Sequence, residues 1–209
     1  MKKIIAVVLI APFILSCGSG ANKAVREEVS SQFVEATPFK TLPEETQGLI
    51  ITGIGSSEKR ANFELMREAA ITSAQADLAR KIQSGIEAVW KRTMGDLSEY
   101  KKEGFNEAES VEEISSLQKS IVDMELKGPW QIQEFVDKES GRYWVRILYS
   151  ASLVEKWTKE RMQSENILKK YFIENRINEI KNELQKDIDS AKQREAQENS
   201  KISEILQKK

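Results

Sequence analysis

The sequence predicts an α+β fold in which a long helix and a second helix pack on a small antiparallel sheet, followed by a long C-terminal helix. Three observations lead to this prediction. A β-branched run at 49–52 precedes a long apolar stripe with helical spacing. Two strand-like segments flank a turn at 137–141, and the chain after Leu153 contains neither proline nor glycine.

Residues 1–16 are predicted to be a lipoprotein signal peptide. Two lysines precede the apolar run from Ile4 to Leu15, which ends in Ile14-Leu15-Ser16-Cys17-Gly18. The run is shorter than the roughly 20 residues that span a bilayer, which disfavours an uncleaved membrane helix. An ordinary signal peptide is the other alternative, but it leaves the position of the only cysteine unexplained. We therefore expect cleavage before Cys17 and acylation of its thiol, which would anchor the protein in a membrane.

The lipidated segment 17–48 is predicted to be a tether for a folded domain at 49–153 and a helical extension at 154–209. Small residues follow Cys17, and Pro38 and Pro43 interrupt any apolar period, so an extended chain is expected. Gly18 stands where aspartate retains lipoproteins at the inner membrane of enteric bacteria. By that sorting rule, the outer membrane is the expected location.

The domain begins with a predicted strand at 49–55, followed by a helix for which Ser56 or Ser57 is the expected N-cap. The helix is expected to reach about Trp90. Its apolar stripe consists of Phe63, Met66, Ala70, Ala74, Leu78, Ile82 and Ile86. Gly53-Ile54-Gly55 before this helix suggests a phosphate loop, but the third glycine of a dinucleotide motif is replaced by Glu58. The favoured interpretation is a tight turn that needs positive φ or close packing.

A second helix is predicted from the capping-box spacing at Ser110. Its stripe is Val111, Ile114, Leu117, Ile121 and Met124. Segments 130–136 and 142–149 then predict an antiparallel hairpin. The alternation in the second strand predicts that Tyr143, Val145, Ile147 and Tyr149 share one face.

Four aromatic residues of this hairpin are candidate site residues, because together they would offer a platform for a ligand or partner. They are Trp130, Tyr143, Trp144 and Tyr149. Aromatic residues in strands also serve as core and cross-strand packing, and that interpretation is favoured. An exposed cluster would suit a protein partner or a glycan.

The C-terminal extension is predicted to be one long amphipathic helix, with a stripe that includes Ile177, Ile180, Leu184 and Ile188. Two interpretations of the stripe stay open. It folds back onto the sheet or frays after Ala191, or it forms an arm for self-association or for a partner.

Composition excludes most enzyme mechanisms. The chain has no histidine, and its one cysteine is assigned to lipid, so histidine bases, catalytic triads, thiolate nucleophiles and histidine or cysteine metal sites are excluded. No catalytic residues, metal or cofactor are expected. With 32 basic and 33 acidic residues and a formal net charge of −1, no nucleic-acid partner is expected either.

Several of these segments together resemble a family. They are Cys17, the strand entry at 51–55, the alanine-spaced helix at 69–82, and 126–128 followed by 137–149. The chain resembles the twenty-kilodalton membrane-associated lipoproteins of Helicobacter type and is similar to the N-terminal domain of flagellar assembly protein T. The resemblance covers roughly 49–153 and implies a compact α+β domain in a surface or periplasmic lipoprotein with no known reaction. The C-terminal extension departs from the family pattern.

These observations predict a non-enzymatic, lipid-anchored envelope protein with a structural or protein-interaction role. Its expected partners are the membrane, through Cys17, and other envelope proteins, together with self-association through the C-terminal helix. The alternative is a module that binds a small ligand or glycan through the sheet aromatics. A third hypothesis is a carboxylate-dependent hydrolase of envelope polymers.

Overall fold

In a computed structural model of the chain, residues 37–104, 107–125 and 131–208 are described. They have an α+β fold, which confirms the predicted fold class. The helices are α1 Pro43–Thr46, α2 Phe63–Asp96, α3 Glu107–Glu125, α4 Ala151–Met162, α5 Glu165–Tyr171 and α6 Ile177–Gln207. The strands are β1 Ile50–Ser57, β2 Gln131–Val136 and β3 Tyr143–Ser150, and short 3-10 helices occupy Ser98–Tyr100 and Glu174–Arg176.

The three strands form one antiparallel sheet in the order β1-β3-β2. The predicted hairpin of β2 and β3 is confirmed, with Val136 opposite Tyr143. Its turn is closed by a hydrogen bond from the Asp137 amide to the Arg142 carbonyl at 2.9 Å. Gly141 has φ +69°, a backbone conformation that glycine adopts without steric cost.

The long helix α2 starts later and ends later than the sequence predicts. Ser56 and Ser57 do not cap it, because β1 continues through both residues and pairs them with Trp144 and Tyr143 of β3. The actual N-cap is Asn62, whose Oδ1 accepts hydrogen bonds from the backbone amides of the first turn. At the other end, Met94 is still buried, so α2 continues to Asp96 rather than stopping near Trp90.

The two glycines of β1 allow α2 to lie directly on the strand. A Cβ atom on Gly53 would lie 2.3 Å from the Ala74 carbonyl oxygen, and one on Gly55 would lie 2.1 Å from the Ala74 amide nitrogen. The close-packing interpretation is therefore confirmed. The tight-turn interpretation is wrong, since both residues are in an extended strand without positive φ. A phosphate would not fit where not even a methyl group fits.

The second helix also differs from its prediction in detail. It begins at Glu107 rather than near Ser110. Ile114, Leu117 and Ile121 are buried in the main core as expected, but Val111 is 61 % exposed. The side chain of Met124 lies outside the described residues.

The C-terminal extension is not one continuous helix. It breaks at Gln163–Ser164 and again after Tyr171, where the chain turns inward. Tyr171 and Phe172 are buried in the main core at this second break. The Ile173 amide donates a hydrogen bond to the Tyr100 carbonyl at 2.8 Å, which fixes the break against the segment after α2.

Helix α6 folds back onto the domain along its whole length. Its stripe, from Ile177 through Ile188 and Ala191 to Ile202, is buried, and the helix persists past Ala191 to Gln207. The folded-back interpretation is therefore the correct one for this stripe, and the predicted fraying is wrong. An arm that uses the same stripe for self-association would have to release it from the core.

A buried carboxylate joins α6 to the start of α4. Glu198 accepts hydrogen bonds from Ser150 Oγ at 2.7 Å, the Ser152 amide at 2.9 Å and Ser152 Oγ at 2.6 Å. Carboxylates at a helix N-terminus are stabilised by the helix dipole and by the unpaired amides there. Glu198 is closed off from solvent, so it is a structural joint.

The face of the sheet opposite α2 carries a second, smaller core. Ile50, Leu148 and Ile202 form it, and Leu42, Ile205 and Leu206 pack against it. Glu45 of α1 accepts a hydrogen bond from Thr52 of β1. The compact unit consequently begins at Pro38, and residues 38–48 belong to the domain rather than to the tether.

We predict that Gly55→Ala strongly destabilises the domain, whereas Gly95→Ala does not. The new methyl group at position 55 would overlap the backbone of Ala70 and Ala74, and such overpacking costs roughly 1–3 kcal/mol or more. Gly95 lies in α2 with open space around it, so alanine there should stabilise the helix by about 0.5–1 kcal/mol. Urea unfolding of both variants measures the difference. Equal stabilities would contradict the close-packing account.

Candidate functional site

Of the four predicted aromatic residues, the three that the structure describes do not form one exposed surface. Cys17 and Trp130 lie outside the described residues. Tyr143 and Trp144 are both buried, and because they are consecutive in β3 they point to opposite faces of the sheet. Tyr149 is half-buried, with its ring 5.9 Å from that of Trp157. These three side chains serve the packing of the sheet.

An exposed apolar region lies instead at the turn end of the hairpin, divided between the two faces of the sheet beside two of these residues. It consists of Phe63, Phe135 and Val136, which are 51 %, 44 % and 43 % exposed, and we call it the hairpin patch. Phe63 packs edge-on against Tyr143, with ring centroids 5.4 Å apart. Val136 is opposite Tyr143 on the same face, whereas Phe135 is opposite Trp144 on the other face.

Sequence reasoning missed the hairpin patch. It placed Phe63 in the buried stripe of α2, but Phe63 is the first residue of that helix and lies at the rim of the sheet. Phe135 and Val136 were predicted only as strand residues. A usable signal is their position at the end of the first hairpin strand, directly before the polar turn 137–141, because the end of an edge strand has a neighbouring strand on one side only.

Charged residues flank the patch on the side of β2. Arg67 of α2 forms an ion pair with Glu134 at 2.7 Å, and the hydrogen bond to Glu134 raises the pKa of the Arg67 guanidinium. Burial raises the pKa of the Tyr143 hydroxyl next to them, and Glu134 raises it further. On the α2 surface beside this pair is a groove of about 390 Å³, lined by Glu64, Arg67, Glu68, Ile71, Thr72 and Gln75.

The two edges of the sheet differ in their hydrogen bonding. At the β1 edge, the Ile54 amide donates to Asp77 Oδ2 at 3.0 Å, and the Thr52 carbonyl accepts from Lys81 Nζ at 2.7 Å. Asp77 and Lys81 also pair with each other at 2.9 Å. Side chains of α2 thus form hydrogen bonds with backbone groups at this edge of the sheet.

The β2 edge has no such cover among the described residues. The Asp137 amide donates to the carbonyl of Arg142, the residue before β3, and neighbouring residues of an antiparallel strand alternate in direction. The backbone groups of Gln133 and Phe135 therefore point to β3, and those of Ile132, Glu134 and Val136 point outward. No described residue hydrogen-bonds to these outward groups.

A second concave region lies between α2 and α3. This cleft has a volume of about 500 Å³, and its apolar lining includes Trp90, Met94, Val111 and Ile114. Glu87 and Lys91 pair at 2.5 Å at its rim. Cavities of this size are typical of small-molecule sites.

The part of the chain that the structure describes contains no group of three acidic or cysteine side chains arranged to hold a metal ion. None of its helices is both long and apolar enough to cross a bilayer.

Comparison with known proteins adds no relative: no family model, no curated protein and no solved structure matches this chain. The resemblance to the twenty-kilodalton membrane-associated lipoproteins therefore stays a prediction.

We predict that Asp77→Asn removes a pH-dependent part of the stability. Partial burial raises the pKa of Asp77, but the hydrogen bond from Ile54 and the interactions with Lys81 outweigh it, so the pKa lies below the ordinary value of 3.8. A carboxyl group with a depressed folded-state pKa stabilises the fold above its unfolded pKa, and this contribution is lost as the pH falls through the folded value.

The free energies of unfolding of the two proteins should therefore differ most near neutral pH and converge as the pH falls below about 3.8. Urea unfolding across this range is the measurement, with Asp96→Asn, at the exposed end of α2, as the control. A difference that does not change with pH would disprove the role assigned to the ionised Asp77.

Proposed function

We propose that this chain is a non-enzymatic, lipid-anchored protein of a bacterial cell envelope, held through Cys17 in the outer membrane. Its domain has a structural or protein-interaction role. The sequence around Cys17 supports the anchor. The observation that carries the interaction role is the hairpin patch next to the open edge of β2.

The hairpin patch supports protein binding because its three large apolar side chains are exposed at the same end of the sheet, on both of its faces. Isolated exposed apolar side chains are normal on soluble domains. Phe63 and Val136 both adjoin Tyr143, and Phe135 follows on the other face of the same strand. Aromatic residues are enriched in protein interfaces, where they bury a large area at a small cost in side-chain entropy.

The polar clusters of the described residues support a non-catalytic role. The carboxylate with serine hydroxyls beside it, Glu198, is sealed inside the domain and fully hydrogen-bonded. Lys159, the most buried lysine in the part of the chain that the structure describes, forms ion pairs with Glu155 and Asp187. Neither cluster is positioned to reach a substrate.

We predict that Phe135→Ser abolishes the association of the full-length lipoprotein with an envelope partner. Loss of an exposed aromatic side chain should hardly change folding, whereas truncation of an interface anchor weakens binding by about tenfold or more. The measurement is mild crosslinking in the native cells, followed by purification and identification of the attached proteins.

Two controls make this result specific. Ile173→Ser removes an apolar side chain of similar exposure far from the patch in sequence and should keep the partner. Cys17→Ala should lose it through mislocalisation. A partner that persists with Phe135→Ser, or the absence of any partner with the unmodified protein, would refute the assigned surface.

Small-ligand binding is the second candidate function, and the cleft between α2 and α3 is the observation that favours it. Of the hairpin aromatics named for this role, Tyr143 and Trp144 are buried and Tyr149 is half-buried. The cleft, in contrast, combines an apolar lining with a charged rim. A ligand in it would be a small, mainly apolar molecule.

We predict that the apolar dye anilinonaphthalene sulfonate binds in this cleft and that Ser115→Trp weakens its binding by about tenfold. Ser115 lines the cleft, and a tryptophan there would fill it. Ser116→Trp, at the next exposed position of α3, is the matched control. Equal dye fluorescence in the two variants would show that the dye binds elsewhere, and it would refute the cleft as a ligand site.

A further inference from the structure

The outward backbone groups of β2 define what kind of chain segment fits beside them. Ile132, Glu134 and Val136 present amides and carbonyls in a row at the spacing of a strand, and no described residue bonds to them. Only an extended backbone satisfies such a row in full, because its donors and acceptors repeat at the same interval.

The opposite edge shows that this openness is not general in the fold. At β1, Asp77 and Lys81 occupy the outward groups of Ile54 and Thr52 and block the approach of another strand. Natural sheets protect their edges with charged side chains in this way. The β2 edge lacks the equivalent protection, and the exposed side chains of Phe135 and Val136 lie on it.

Charge indicates what side chains the added strand carries. Glu134 lies at the centre of the row, and the adjoining α2 groove adds Glu64 and Glu68 against the single cation Arg67. Three carboxylates and one guanidinium leave this side acidic. A residue of the added strand directly opposite Glu134 would be on the same face and near these carboxylates, so a basic residue is favoured there. Ile132 and Val136 favour apolar residues two positions to either side.

A second copy of this chain fits the edge poorly. The symmetric antiparallel register that pairs Ile132 with Val136 places Glu134 opposite Glu134, and like charges in that position are destabilising. A shift by two residues puts Glu134 opposite an apolar residue instead.

We propose that the β2 edge binds an extended segment of another protein as a fourth strand, with a basic residue opposite Glu134 and apolar residues two positions before and after it. This inference rests on the proposed interaction role and specifies its mode and the chemistry of the partner segment.

The first test is amide hydrogen exchange of the full chain in detergent micelles. The probe is a short synthetic peptide of alternating valine and threonine with lysine in place of its central valine. Binding should slow exchange of the Ile132, Glu134 and Val136 amides by about tenfold or more, since each gains a partner. The Gln133 and Phe135 amides already bond to β3 and should not change.

The matched peptide with glutamate at its centre should bind at least about tenfold more weakly. Equal binding of the two peptides, or no slowing with either, overturns the proposal. Slow exchange of the three amides before any peptide is added also overturns it, because the edge would then be occupied by the chain's own residues or by a second copy.

Val136→Pro provides the second test. Proline removes the outward amide of Val136 but breaks no hydrogen bond to β3. The hairpin should therefore persist, whereas binding of the peptide should be lost. Val136→Thr keeps the amide and loses only an apolar contact, so it should weaken peptide binding less than Val136→Pro does. If the Val136→Pro protein does not fold, the Glu134→Lys variant is used in its place. It should bind the glutamate peptide more tightly than the lysine peptide. Unchanged preference would contradict the proposal.

The same variants separate this inference from the proposed function. A cellular partner that is lost with Phe135→Ser but retained with Val136→Pro leaves the interaction role intact and refutes strand addition. A partner retained with both variants refutes the assigned surface and strand addition alike.

Discussion

The close approach of β1 and α2 sets the geometry of the whole domain. Because Gly53 and Gly55 have no side chains, the backbone of Ala70 and Ala74 can lie against the strand. With the helix at this distance, Asp77 and Lys81 reach the outer edge of β1, and Arg67 reaches Glu134 of β2. One contact between small residues therefore decides which edge is covered by α2 and which is not.

The C-terminal helix is connected to α4 by a row of polar contacts. Lys159 of α4 pairs with Asp187 of α6 at 2.6 Å, Lys156 pairs with Glu195 at 2.7 Å, and Glu198 closes the joint to α4. Partly buried ion pairs of this kind contribute little net stability, because desolvation offsets much of their attraction. Because α6 uses its apolar stripe inside the domain, the exposed apolar groups of the hairpin are the more accessible surface for a partner.

Local patterns predicted the elements, and contacts distant in sequence decided their ends. The alternation of 142–149 and the turn at 137–141 were sufficient for the hairpin, and the stripe of Ala70, Ala74 and Leu78 was sufficient for α2. The strand identity of Ser56 and Ser57 depends on pairing with β3, which no local pattern contains. The break at Phe172 depends on the residues after α2, and the open edge of β2 depends on where α2 lies.

The smaller core also constrains the order in which the chain can fold. It combines Leu42 and Ile50 from the start of the domain with Ile202 and Leu206 from its last helix. Contacts between residues so distant in sequence form late, since the loop between them must close first. During synthesis, Leu148 on that face of the sheet stays uncovered until Ile202 has emerged. A nascent or truncated chain would expose this apolar face to chaperones and proteases until then.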